Sequence, residues 1–154
     1  MQQYGPRHSS NVEMVTACAL VLLKRGNPQG ALKAAARSIE LKWSDPQPWE
    51  ISGEAWRRIG QWRKAGQCWE EALRMNPANP RAQLALVEIY DRLKDQPALA
   101  RMAARCLVSK GAAPLDEWLT ALTANDAVSA YEVNPGTLGR IIRREINRDL
   151  TRRR

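Results

Sequence analysis

The feature that most constrains this chain is an internal repeat of 34 residues. Residues of similar size recur at this offset without an insertion. The matching columns are Gly26, Gly60 and Lys94; Ala31, Ala65 and Leu99; and Leu22, Trp56 and Tyr90. Because a unit of this length cannot bury an apolar face alone, about three units must stack on each other to be stable. The repeat therefore predicts a solenoid in which each unit contacts its neighbours along the chain.

Each unit has the pattern of a helix, a turn and a second helix. In the middle unit, Trp49, Gly53 and Trp56 follow the i, i+4, i+7 spacing of one helical face, and Gly60 supplies a turn. Residues with capping side chains stand before the predicted helices, and each is followed by proline within two positions. These capping positions are Asn27, Asp45, Asn79 and Asp95, together with a capping box of Ser10 and Glu13 before the first unit.

The residues of the middle unit resemble the tetratricopeptide repeat, position by position. The matching positions are Trp49, Gly53, Trp56, Gly60, Trp62, Ala65, Trp69, Ala72 and Pro77. The resemblance covers about 12–113 as three repeats, and it departs from the pattern at Trp43, Lys94 and Leu99. It implies an all-α fold: a right-handed superhelical solenoid of antiparallel helix pairs. We expect an N-terminal arm at 1–11 that is mobile, the solenoid and a first capping helix at 12–125, and a basic helical segment at 126–154.

Composition argues against catalysis and against a membrane span. The single histidine, His8, lies in the predicted arm, and the three cysteines are far apart, which predicts neither a zinc site nor a disulfide framework. We expect no enzyme activity, no metal and no cofactor. The thiols of Cys18, Cys68 and Cys106 are expected to be buried in the core. A chain with free thiols is expected in a reducing compartment such as the cytoplasm. A soluble domain of a larger assembly would have the same composition. The longest apolar stretch, 15–23, is too short to span a bilayer.

The resemblance implies a function in protein–protein interaction, with a partner peptide held in a concave groove lined by the first helix of each repeat. The lining positions carried over from the family are Thr16, Leu20, Leu23, Gln47, Glu50, Glu54, Arg57, Arg81, Leu84, Glu88 and Asp91. Their carboxylates predict a partner with basic residues. Thr16 and Leu20 stand where members that bind chaperone C-termini have a lysine and an asparagine, which argues against that specificity.

The first helix is apolar on nearly all sides, with Leu20, Val21 and Leu23 in excess of the predicted core positions. A helix of this kind is expected to be buried. A homodimer formed through this helix is one explanation, and a groove lined by the leucines is the other.

The C-terminal segment allows an alternative function. Residues 127–144 resemble a helix-turn-helix, although Glu132 replaces the usual glycine, and the chain carries a net charge of +8. Nucleic-acid contacts are then expected from Thr137, Arg140, Arg143 and Arg144. The alternative is a packed cap whose basic face is solvated, with one apolar stripe formed by Leu138, Ile141, Ile142, Ile146 and Leu150. A third possibility is a role in assembling a larger machine, such as a secretion or polysaccharide system.

Overall fold

The computed structural model describes residues 5–123, 131 and 134–152. Within these residues the chain forms eight α-helices, and no strand occurs there. The helices are α1 (Gly5–Lys24), α2 (Pro28–Leu41), α3 (Pro46–Ile59), α4 (Trp62–Met75), α5 (Pro80–Leu93), α6 (Gln96–Lys110), α7 (Leu115–Thr123) and α8 (Pro135–Arg152). The predicted all-α class and the helix pairs of the three repeats are confirmed.

The chain divides into two compact units, Met1–Pro77 and Ala78–Arg154. In the first unit, α1 pairs with α2 and α3 pairs with α4, and α3 also contacts α1 and α2. In the second unit, α5 pairs with α6, and α8 contacts α5, α6 and α7. Because residues 25–27 and 60–61 are the whole connections inside the first two pairs, the paired helices are antiparallel. The domain boundary predicted at 125/126 lies outside the described residues.

The predicted capping residues begin four of these helices. Asp45 accepts a hydrogen bond from the backbone N–H of Gln47 at 3.0 Å, and Asn79 accepts one from Arg81 at 3.1 Å. Asn27 and Asp95 cap α2 and α6 in the same way. Each side chain satisfies a backbone donor that the first helical turn leaves unpaired.

The N-terminal capping box was predicted wrongly. Helix α1 begins at Gly5, so Ser10 and Glu13 lie inside the helix instead of before it. Part of the segment expected to be an arm is therefore helical. The sequence between Gly5 and Ser10 lacks a helix breaker after Pro6, and proline is well tolerated in a first turn.

The turns inside the helix pairs use left-handed backbone. Gly60 ends α3 with φ of 91°, and Lys94 occupies the equivalent place after α5 with φ of 57°. A Cβ atom in this region crowds the following carbonyl oxygen, at a cost of about 1–2 kcal/mol. The third repeat therefore keeps the turn of the second although it lacks the glycine.

Replacing Lys94 with glycine is expected to raise the free energy of unfolding by about 0.5–1 kcal/mol. The substitution removes the steric cost of the Cβ atom in the folded chain. This gain in free energy is larger than the loss caused by the additional conformational entropy that glycine gives the unfolded chain. For a chain of this length, that gain corresponds to about 1–4 °C in Tm. Lys42→Gly is the matched control, because Lys42 follows α2 with φ of −152° and has no such strain to relieve. Thermal unfolding of both variants checks this, and equal shifts would contradict it.

The first unit has a core of small residues around one indole. Ala31, Ala55 and Ala65 are fully buried, and Trp69 of α4 is 1% exposed. A Cβ added at Gly53 of α3 would lie 2.6 Å from Cδ1 of Trp69, so only glycine allows the indole this close to the α3 backbone. In the middle repeat, this close contact between α3 and α4 explains the small residue at 53 and the aromatic residue at 69.

The buried face of α1 differs from the predicted one. Val12, Thr16, Ala19 and Leu23 are buried, whereas Val21 is 47% exposed. We expected Leu23 to be surplus to the core. On a helix that is apolar almost all round, hydrophobic periodicity does not identify the inward face, and packing on α2 and α3 decides it.

Helices α7 and α8 cover the end of the second unit. Leu119 of α7 and Leu138, Ile141 and Ile142 of α8 are buried, as the apolar stripe predicted. The stripe does not continue to the end of α8, since Leu150 is 55% exposed. Helix α8 packs on both α5 and α6 as well as on α7. Six residues of the helix-turn-helix prediction, 127–130, 132 and 133, lie outside the described residues.

Candidate functional site

The lining positions predicted on α1 are mostly interior. The Thr16 hydroxyl lies 2.8 Å from the hydroxyl of Ser38 on α2, and Leu23 has no exposed surface. A side chain in this position offers no atoms to a partner, so both assignments to the groove are corrected. Leu20, which is half-buried, remains as the lining position on α1.

Two predicted lining carboxylates on α3 are also buried. Glu50 is 6% exposed and Glu54 is 2% exposed. Glu54 accepts hydrogen bonds from Arg57 at 2.8 and 2.6 Å and from Arg58 at 3.2 Å. Its charge is therefore neutralised by its own chain, which is the usual condition for burying a carboxylate.

Arg58 connects this cluster to the end of α1. Its guanidinium donates to the backbone carbonyl of Leu23 at 2.6 Å, close to the C-terminus of that helix. A cation at this end interacts favourably with the helix dipole and satisfies a carbonyl that the last turn leaves unpaired. The residues Glu54, Arg57 and Arg58 thus hold α1 against α3, and we call them the α3 ion cluster.

The accessible lining positions of the first unit are few. Gln47 is exposed at the start of α3, and Leu20 and Arg57 are half-buried. Arg57 is also a member of the α3 ion cluster, with 12% of its side chain exposed. A partner segment would thus meet one aliphatic, one amide and one partly exposed guanidinium side chain on this unit.

On α5, too, the predicted lining residues are partly buried and partly accessible. Leu84 is 2% exposed and belongs to the interior, which corrects its assignment. Arg81, Glu88 and Asp91 are half-buried. Asp91 forms an ion pair with Arg144 of α8, so the C-terminal helix already uses this carboxylate.

An outward stripe on α1 was not predicted. Met14 is 64% exposed and Val21 is 47% exposed, and Cys18 between them is also exposed. With Ala17 they follow the i, i+3, i+4, i+7 spacing of one helical face. We call these four residues the α1 stripe. The sequence does not show which face of α1 points outward, so it could not predict this stripe.

The exposed face of α8 is strongly basic. A shallow open depression there is lined by seven residues, which we call the arginine surface: Arg140, Arg143, Arg144, Asn147, Arg148, Thr151 and Arg152. Three of the four residues predicted to contact nucleic acid belong to it. The fourth, Thr137, lies in the first turn of α8, where its backbone N–H donates to Asn134 at 3.2 Å.

The thiols show no sign of activation. Burial raises the pKa of Cys106 to about 12, and burial together with the charge of Glu71 raises the pKa of Cys68 to about 11. Since the thiolate is the reactive form, these two groups are inert near neutral pH. Cys18 was expected in the core and is exposed instead. Among the described residues, no three metal-ligating side chains form a group.

No protein-family model and no curated protein sequence matches the chain. Solved structures do. SycD, a type III secretion translocator chaperone of Yersinia enterocolitica, aligns in its complex with a YopD peptide at a TM-score of 0.71 and 12% identity, over 91% of this chain and 95% of that chain. The TPR2B domain of yeast Sti1, solved with pHsp70, aligns at 0.67 and 11% identity, over 90% and 98%.

A third solved structure with the same fold is a tetratricopeptide-repeat domain. The tetratricopeptide-repeat domain of Sgt2 from Aspergillus fumigatus aligns at a TM-score of 0.65 and 13% identity, over 89% of this chain and 78% of that chain. The chain has a tetratricopeptide-repeat-like fold. In tetratricopeptide-repeat terms, α1, α3 and α5 are the first helices of the three repeats, and α2, α4 and α6 are the second helices.

None of the helices in the described part of the chain combines the length and apolar character needed to cross a membrane.

Proposed function

We propose that this chain is a non-enzymatic binding module that holds a segment of a partner protein in a concave groove formed by the first helices of its repeats. The observation that carries the proposal is the fold. SycD and PcrH share it and were solved with YopD and PopD segments, and Sti1 shares it and was solved with pHsp70. TM-scores of 0.67–0.71 support a common architecture, and identities of only 11–16% leave the partner open.

Burial narrows the residues that we propose to contact the segment. The accessible candidates on the first helices are Leu20, Gln47, Arg57, Arg81 and Glu88. The carboxylates of the lining were predicted to attract basic residues of the partner. Two of them are already paired within the chain, Glu54 with two arginines and Asp91 with Arg144, so they favour a basic partner less. Among the carboxylates of the predicted lining, Glu88 and Asp91 are half-buried, whereas Glu50 and Glu54 are buried. We therefore propose mixed apolar and polar recognition, with Leu20 as the apolar contact.

Selection from a library of random peptides displayed on phage tests this proposal, followed by calorimetric titration of the enriched peptide. Leu20→Ser and Glu88→Lys are each expected to weaken binding about 10-fold, which corresponds to about 1.4 kcal/mol. Leu41→Ser and Glu40→Lys make the same chemical changes on the second helix α2 and are expected to change affinity less than twofold. Equal losses in both pairs of variants would contradict a site on the first helices.

The α1 stripe favours a second partner, another copy of this chain. In an antiparallel pair of α1 helices, Met14 of one copy lies beside Val21 of the other, with Cys18 near the two-fold axis. Glu13 at one end of the stripe then faces Lys24 at the other end, so the surface is complementary to itself in charge as well as in shape. SycD has also been solved as an alternative dimer.

Met14→Glu/Val21→Glu is expected to convert a dimer into a monomer in sedimentation velocity at tens of micromolar, because it places four carboxylates in the apolar contact. Val108→Glu/Leu150→Glu is the control, since both residues are exposed aliphatic side chains on other helices. A wild-type chain that sediments as a monomer at this concentration would end the dimer proposal. Leu23 is unsuitable for this test, because it is fully buried and a charge there would unfold the chain.

We also propose a reducing location such as the cytoplasm. The three cysteines are free, and disulfides form and persist mainly in oxidising compartments. A part in the assembly of a larger machine remains compatible with a module that holds partner segments.

A further inference from the structure

The arginine surface of α8 has a regular arrangement of charge. Arg140, Arg144, Arg148 and Arg152 are each four residues apart, and Arg143 lies beside the first two. With a rise of 1.5 Å per residue, successive members of the row are about 6 Å apart along the helix, and the row extends about 18 Å. A ligand that matches it must carry negative charges at short, repeated intervals.

Part of this charge is already engaged within the second unit. Arg143 pairs with Asp116 of α7, Arg144 pairs with Asp91 of α5, and Arg148 donates to Glu145 at 3.2 Å. The pairs with Asp116 and Asp91 lie at the surface, where each contributes little and is screened by salt. They hold the guanidiniums of Arg143 and Arg144 extended and do not bury them.

The two ends of the row are Arg140 and Arg152. Within the described parts of the chain, no carboxylate forms an ion pair with Arg140 or Arg152. Every residue from 147 to 152 is exposed, including Leu150. The last turn and a half of α8 is therefore open to solvent all round. Arg140 and Arg152 are both exposed, so they can reach a large ligand without rearrangement of the unit.

We propose that the arginine surface binds the phosphate backbone of duplex nucleic acid without reading its sequence. Guanidinium groups bind phosphate oxygens through paired N–H donors, and Asn147 and Thr151 add neutral hydrogen-bonding groups of the kind that contact the backbone. The proposal does not need a helix-turn-helix, and it is separate from the segment-binding groove.

The residue types that line the surface favour a nucleic acid over an acidic protein. All seven lining residues are polar, whereas the centre of a protein interface is enriched in aromatic and other apolar side chains. The lining also has no aromatic ring on which unpaired bases stack, so a single strand gains little there. A duplex, whose charge lies on its outside at fixed spacing, satisfies the row best.

Fluorescence anisotropy with a labelled 20-base-pair duplex of arbitrary sequence tests the proposal, using the full chain at several salt concentrations. Each phosphate that an arginine neutralises steepens the plot of log K against log salt by about 0.9. If three arginines engage, binding weakens about 40-fold between 50 and 200 mM salt. Arg140→Gln/Arg152→Gln is expected to reduce the slope by about 1.8, and both positions are exposed, so folding is preserved.

Arg37→Gln/Arg101→Gln is the matched control, because it removes the same net charge from exposed positions on α2 and α6. It is expected to leave the slope unchanged. An equal decrease in both double variants would overturn the proposal, since total charge and not the surface would then determine binding. Tighter binding to labelled polyglutamate than to the duplex at equal salt would also overturn it, in favour of an acidic protein segment. A second duplex of unrelated sequence is expected to bind within twofold, and strong discrimination would contradict backbone recognition.

Discussion

Replacing Trp69 with alanine is expected to lower the free energy of unfolding by about 3–5 kcal/mol, a large share of the 5–15 kcal/mol that stabilises an ordinary domain. The indole is 1% exposed and packs against the α3 backbone at Gly53, so its removal leaves a cavity that the alanines around it cannot fill. Chemical denaturation followed by circular dichroism measures the loss. Trp43→Ala is the control and should stay within about 0.5 kcal/mol, because Trp43 is 67% exposed and accepts from Trp49 through its backbone carbonyl.

The close approach of α3 to this indole adds a second measurement. Gly53→Ala should destabilise by about 1–3 kcal/mol, since its Cβ would lie 2.6 Å from the ring. Combined with Trp69→Leu, the same change should cost much less, because the ring that it clashes with is gone. Independent, additive losses would show that the glycine matters for another reason.

Local signals account for the parts of the fold that the sequence predicted well. Asp45 and Asn79 cap helices through bonds to backbone groups two or three residues away, so their role is visible in a short window. The turn at Gly60 is equally local. Lys94 shows the limit of this reasoning, because the structure keeps the left-handed turn without the residue that usually signals it.

The candidate site was harder to predict because burial is decided by distant residues. Glu50 and Glu54 read as exposed carboxylates on a helix face, yet Glu54 is covered by arginines, one of which also bonds a carbonyl 35 residues earlier. Likewise Asp91 meets Arg144, which is 53 residues away in the sequence. The family pattern identifies which helix carries the groove. It does not tell which side chains on that helix remain accessible in this chain.

The same limit applies to α1 and α8. An apolar helix such as α1 has no polar face to set its register, so the outward stripe of Met14 and Val21 could not be separated from the core. For α8 the apolar stripe did identify the packed side, and the exposed arginines follow as its opposite face. The amphipathic pattern of α8 therefore predicted which of its faces is buried. The uniformly apolar pattern of α1 did not predict its buried face.

The buried carboxylate of the α3 ion cluster gives the sharpest test of this distinction between interior and groove. Glu54→Ala is expected to lower the free energy of unfolding by about 3–5 kcal/mol, because it leaves Arg57 and Arg58 with uncompensated charge in a largely buried place. It should also weaken the hydrogen bond from the Arg58 guanidinium to the Leu23 carbonyl, which joins α3 to α1. Chemical denaturation of the variant measures both effects as one loss of stability.

The chain contains a control for this measurement. Glu71 and Arg74 form an ion pair with the same i, i+3 spacing and the same 2.6 Å distance, but their side chains are 39% and 63% exposed. Glu71→Ala should therefore cost under about 1 kcal/mol, since water replaces the lost partner. If Glu54 instead belongs to the groove, its removal will weaken peptide binding while stability changes no more than in Glu71→Ala. The comparison separates the two roles because the pairs match in geometry and differ in burial.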